Sequence, residues 1–83
     1  DVHREASGSV IVNASATVRA LNRTMNWSLP TDGPKTLNGV LLERLETMPT
    51  AGTALQLGSL QIEILQMGEN TIRTVRVRDA ARR

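Results

Sequence analysis

Residues 60–78, LQIEILQMGENTIRTVRVR, contain the pattern that decides the fold. Apolar and polar side chains alternate on both sides of a central Gly-Glu-Asn turn, and this period of two predicts a β-hairpin. The phase of the alternation changes near Ile64-Leu65 in the first strand and near Arg73-Thr74 in the second. Each change predicts a β-bulge, so we expect a strongly coiled hairpin.

The segments upstream of the hairpin predict a third strand and two helices. Residues 53–57 alternate in the same way, and Gly58-Ser59 is typical of a two-residue turn. Thr36 is expected to cap a helix over about residues 37–46, whose apolar stripe runs on to Met48. Gly39 weakens this helix by about 1 kcal/mol relative to alanine, which suggests the close approach of another backbone.

The first third of the chain predicts a strand and the other helix. Val10, Ile11 and Val12 favour a short strand. Thr17 is expected to cap a helix that ends at Asn26, after which Trp27 anchors the following loop on the core.

These elements predict an α+β fold in one domain. The order is a short N-terminal strand, two helices, and a three-stranded antiparallel meander packed against the helices. We assign residues 8–78 to the domain, residues 1–7 to a linker from an upstream region, and residues 79–83 to a C-terminal tail.

The composition limits both the core and the chemistry. The chain has 83 residues, no cysteine and a single aromatic residue, so the core must be aliphatic. No apolar run approaches the roughly 20 residues that a membrane-spanning helix needs. These residues are therefore not expected to cross a bilayer themselves.

The residue inventory predicts no catalytic, metal or cofactor site. His3 lies in the expected linker without a partner that could make it a general base. Glu43 and Glu46 could chelate an ion weakly, but the intervening Arg44 favours a solvated polar face. The six glycines do not follow a dinucleotide or phosphate-loop spacing. We therefore expect a non-catalytic protein.

The last strand carries the candidate interaction surface. Residues 71–83 hold five arginines against one aspartate, a net charge of +4. Arg73, Arg76 and Arg78 could form a charged interface on an edge strand, or they could line an ordinary solvated face. Nucleic acid is not an expected partner, because aromatic stacking platforms are missing.

Three segments together resemble the transporter-associated (CorC/HlyC) domain, in its CorB-like branch. They are the helix TLNGVLLERL at 36–45, the Ile72–Val77 segment with its R-x-V-x-V pattern, and the NWSLP exit at 26–30. The resemblance covers about residues 8–78. One departure is Asn13-Ala14, where the family often has Asp-Gly, and alanine tolerates a positive φ poorly.

The resemblance implies a C-terminal accessory domain of a membrane protein linked to magnesium and cobalt efflux or described as hemolysin-like. It implies a place on the cytoplasmic side of the bacterial inner membrane, with the upstream CBS pair and transmembrane domain of the same chain as partners, and a homodimer as a further expectation. Its implied role is the modulation of transport. The alternative is a domain that binds a small molecule, flavin or adenine nucleotide, since the family's fold is similar to part of flavin-binding domains.

Overall fold

A computed structural model describes residues 2–80 as a five-stranded antiparallel sheet with two helices packed on one face. The sheet order is β1-β2-β5-β4-β3. In chain order the elements are β1 (Val2–Arg4), β2 (Val10–Asn13), α1 (Val18–Met25), α2 (Leu37–Leu45), β3 (Ala54–Leu57), β4 (Leu60–Gly68) and β5 (Thr71–Asp79).

The α+β class is confirmed, but the predicted sheet was too small. The meander β3-β4-β5 exists, and β2 extends it by pairing antiparallel with β5. This pairing sets Val10 opposite Val77 and Val12 opposite Val75, so β-branched side chains meet on the covered face. The first strand is therefore part of the same sheet, and the last strand lies in its middle.

The segment predicted as a linker contributes the fifth strand. Val2–Arg4 pairs antiparallel with β2, and Gly8 (φ 93°) serves the turn between the two strands. Three residues, of which only Val2 is apolar and partly buried, are too few to show an alternation of apolar and polar side chains. At the other end, β5 continues to Asp79. The remainder of the predicted tail, residues 81–83, lies outside the described residues.

Both predicted bulges are present in the β4–β5 hairpin. Ile64 pairs with Val75 and Gln66 with Thr74, which leaves Leu65 as an extra residue on β4. One step further along the hairpin, Arg73 is the extra residue on β5. The two insertions explain why the apolar phase changes in each strand.

The predicted helix caps are confirmed. The Thr17 and Thr36 hydroxyls accept hydrogen bonds from the amides of Ala20 and Gly39, both at 3.1 Å. Asn26 ends α1 in the left-handed conformation at φ 59°. The predicted hairpin turn at Gly58-Ser59 also forms, with Gly58 at φ 61°.

The side chain of Asn38 joins α2 to the sheet where β2 ends. β5 extends past the end of β2, so the backbone of residues 72 and 73 has β4 on one side but no strand on the β2 side. Asn38 Oδ1 accepts a 2.7 Å hydrogen bond from the Ile72 amide, and the Ala14 amide donates to the Arg73 carbonyl at 2.8 Å. These two bonds replace the missing strand.

The aliphatic core lies between the helices and the sheet, as the composition predicts. Trp27 is buried and anchors the loop after α1. Ala14, which stands where the family often has glycine, is fully buried and does not have a positive φ. Its methyl group is therefore part of the core.

Two expectations were wrong in detail. Met48 lies beyond the end of α2 and is 52% exposed, and the close approach to Gly39 comes from the Pro34 side chain, not from a backbone.

Candidate interaction surface on the open face of the sheet

Helices cover one face of the sheet, and the side chains of the other face point away from them. We call this second surface the open face. Its position follows from the strand registers, because its residues alternate with the buried ones on each strand. Its members are His3, Ile11, Asn13, Ala54, Gln56, Gln61, Glu63, Gln66, Thr74, Arg76 and Arg78.

Arg76 holds an ion-pair network at the centre of the open face. Its Nε lies 2.9 Å from Glu5 Oε1, and its Nη1 lies 2.9 Å from Glu63 Oε1. Glu63 is the directly opposed residue on β4, whereas Glu5 comes from the turn after β1. The network therefore ties the segment once expected to be a linker to the middle strand.

The hydrogen bonds that Arg76 donates to Glu5, and then the one that it donates to Glu63, raise the pKa of Arg76 above its ordinary value. A raised pKa means that the stabilisation from the charge is complete below the unfolded-state pKa and is lost only as pH rises through the folded-state value. Arg76 therefore stays charged across the neutral range and cannot act there as a pH switch.

A shallow groove of about 530 Å³ crosses the open face beside this network. Its polar lining comes from Ser9, Gln56, Gln61, Glu63, Arg76 and Arg78. Ala54, Leu55 and Ile62 make the rest of the lining apolar, and the amide and guanidinium groups among them can donate to carboxylates and carbonyls of a partner. The arrangement suits binding by surface contact.

The three predicted arginines do not form one cluster. Arg76 and Arg78 share the open face, two residues apart, and Arg78 is exposed. Arg73 sits at the bulge, and its side chain lies over Gly68. The expectation that these arginines lie on an edge strand was wrong, because β5 is hydrogen-bonded on both sides, to β2 and to β4.

The other sequence candidates do not gather into a site: His3 lies at the margin of the open face, opposite Ile11, whereas Glu43 and Glu46 belong to the helical layer. His3 is exposed on β1, and Glu43 and Glu46 are exposed on α2 and at its C-cap. Among residues 2–80, no three His, Asp or Glu side chains gather as a metal site. The same part of the chain contains no helix that is long and apolar enough to span a membrane.

Sequence reasoning missed Glu5 and Glu63 as partners of Arg76. The hairpin register could have identified Glu63, because the Gly68-Glu69-Asn70 turn and the two bulges together place it opposite Arg76. Glu5 had no such signal, since its pairing depends on β1, a strand without a readable pattern.

The chain matches the CorC_HlyC family, described as the transporter associated domain, over residues 3–80. It belongs to this family. The transporter-associated domain described here is 44% identical over 77 residues to the UPF0053 inner membrane protein YfjD of Escherichia coli K12. That match covers 93% of this chain but only 18% of the relative's length.

Solved structures share the fold of this transporter-associated domain. A conserved protein of unknown function from Haemophilus influenzae aligns with a TM-score of 0.92 at 38% identity, covering 95% of this chain and 98% of the other. The transporter associated domain of a CBS domain protein from Porphyromonas gingivalis aligns with a TM-score of 0.80 at 16% identity, covering 92% and 93%. At that lower identity the likeness concerns the fold alone.

Proposed function

We propose that this transporter-associated domain is a non-catalytic accessory domain of a membrane ion-efflux or hemolysin-like protein, and that it modulates transport through contacts with other domains or subunits. Its parent would carry a transmembrane domain and a CBS pair, export magnesium or cobalt, and hold this domain on the cytoplasmic side of a bacterial inner membrane. The YfjD relative, an inner membrane protein more than five times longer than its matching segment, supports this setting.

The open face is the observation that carries the proposal. It presents polar side chains on a rigid sheet, and no helix covers it within residues 2–80. Arg76 is already neutralised by Glu5 and Glu63, whereas the exposed Arg78 forms no ion pair with a described residue. Arg78 is therefore the charge available to an acidic group on the partner domain.

Binding in trans tests the proposal. The E. coli YfjD relative lacking its matching segment is purified in detergent, and the labelled 83-residue chain is titrated into it. We expect saturable binding that Arg78→Glu weakens at least tenfold, because reversal of an interfacial charge replaces attraction by repulsion.

Arg19→Glu is the matched control, since it makes the same charge change on the exposed side of α1. It should leave the affinity within about twofold. Absence of binding by the wild-type chain would refute the docking proposal, and equal weakening by both variants would show that only net charge matters.

A further inference from the structure

β3 is one edge of the sheet, and half of its backbone groups face outward. Within residues 2–80, β3 pairs only with β4, and the Ile64 amide donates to the Thr53 carbonyl at 2.8 Å. In an antiparallel pair, bonded and non-bonded residues alternate, so Leu55 and Leu57 also bond toward β4. The N–H and C=O groups of Ala54 and Gln56 therefore point to the free side.

This edge lacks the charges that normally protect a free strand. Residues 47–62 contain no Asp, Glu, Lys, Arg or His, although 22% of the chain is charged. Free edges are usually shielded by charged side chains, proline or a bulge, and β3 itself has none of these. The opposite edge, β1, is only three residues long and carries His3 and Arg4.

We infer that β3 pairs antiparallel with β3 of a second copy, about a two-fold axis that passes beside Leu55. In this register Ala54 of each copy lies opposite Gln56 of the other, and the two pairs exchange four backbone hydrogen bonds. The two Leu55 side chains meet at the axis as a close, non-bonded pair. The result is one continuous ten-stranded sheet.

The neutral sequence fits a second copy better than a charged partner. At a two-fold axis each side chain lies near its own symmetry mate, so any charge there would face a like charge. Leu55 is half-buried against the core, and its copy would cover the remaining exposed part. A contact this small is expected to be weak, which suits domains held near each other in a parent protein.

Disulfide capture tests the register directly. The chain has no cysteine, so Leu55→Cys introduces the only thiol. Opposed non-bonded residues have Cα atoms about 4.5 Å apart, within the range a disulfide spans. With oxidised glutathione as the oxidant, we expect Leu55→Cys to form a covalent dimer at least tenfold faster than the exposed control Ala20→Cys. Equal rates would overturn the inference.

Sedimentation equilibrium provides a second test without a thiol. The wild-type mass should rise from 9.0 kDa toward twice that value as the concentration approaches ~1 mM. Gln56→Lys should abolish this rise by placing like charges close to the axis, whereas Gln66→Lys, exposed on the same sheet, should not. A wild-type chain that stays at 9.0 kDa throughout would also overturn the inference.

This inference rests on the proposed function, in which the domain acts through contacts with other domains or subunits. It identifies the free edge of β3 as the surface of the contact between two copies. The inference and the proposed function can fail separately. Arg78→Glu should weaken the binding to the truncated YfjD relative but keep the self-association, because Arg78 lies on β5 and β4 separates that strand from the free edge of β3.

Discussion

At the scale of single residues, Asn38 does the most to join the two layers. Its side chain accepts from the Ile72 amide, while its own amide donates to the Ala14 carbonyl at 2.8 Å. One residue therefore satisfies backbone groups at the start of α2, at the end of β2 and on β5. The apolar pattern of the helix gave no hint of this role, since it concerns only the buried stripe.

Asn38→Ala should lower the free energy of unfolding by about 1–3 kcal/mol, because it leaves the partly buried Ile72 amide without an acceptor. Urea denaturation measures the loss. Asn38→Asp keeps an oxygen at the same position and should retain most of the stability. Equal losses for the two variants would show that the acceptor is unimportant and that the packing of the side chain matters instead.

At the scale of elements, α2 begins where Pro34 packs against it. A Cβ added to Gly39 would lie 2.7 Å from the Pro34 Cβ, closer than such atoms can stay. The sequence identified the unusual helical glycine but not the group behind it. The proline lies in the loop before the cap, and its distance from the helix depends on how that loop folds back.

Gly39→Ala should therefore destabilise the domain by about 1–3 kcal/mol, although alanine is the better helix former. In a Pro34→Gly background, which removes the contacting Cβ, the same substitution should become neutral or stabilising by up to about 1 kcal/mol. A double-mutant cycle from urea denaturation compares the two backgrounds. The same cost in both would rule out the Pro34 contact as the cause.

The sequence predicted best those helices and strands that bury one face against the core, because their apolar side chains then repeat at a regular spacing. The change of phase at Ile64-Leu65 predicted a real bulge, because one face of β4 must stay against the core. β1 was missed for the opposite reason, since His3 and Arg4 are exposed and leave no apolar period. On the candidate surface, the sequence was enough to name the arginines. That Arg76 forms ion pairs while Arg78 stays exposed could be seen only from the alignment of β5 with its neighbouring strands.

At the scale of the whole molecule, the sheet depends on a segment that sequence reasoning set aside. Removal of residues 1–7 would take away β1, the half-buried Val2 and the Glu5 partner of Arg76. β2 would then become an edge strand.

Deletion of residues 1–7 should lower the free energy of unfolding by about 1–3 kcal/mol, from lost ladder hydrogen bonds and the exposure of apolar surface. For a domain of this size, that corresponds to a fall in Tm of roughly 4–20 °C, which calorimetry would detect. Glu5→Gln keeps the strand and removes only the charge, so it should cost much less. An unchanged Tm after the deletion would mean that the segment behaves as a linker.

The order of strands in the molecule also determined what could not be predicted. Local patterns identify β3, β4 and β5 as neighbours, because short turns join them. The partnership of Val12 with Val75 connects residues more than 60 positions apart, and nothing local specifies it. The sheet was therefore predicted as three strands, and β5 was assigned to an edge instead of the centre.

The central position of β5 has a consequence for the order of events during synthesis. The strand that holds both halves of the sheet together, Thr71–Asp79, leaves the ribosome after the other four strands of this domain. Until it emerges, β1–β2 and β3–β4 are separate hairpins, each marginal on its own in water. Cooperative folding of this domain must therefore wait until nearly all of its residues have been translated.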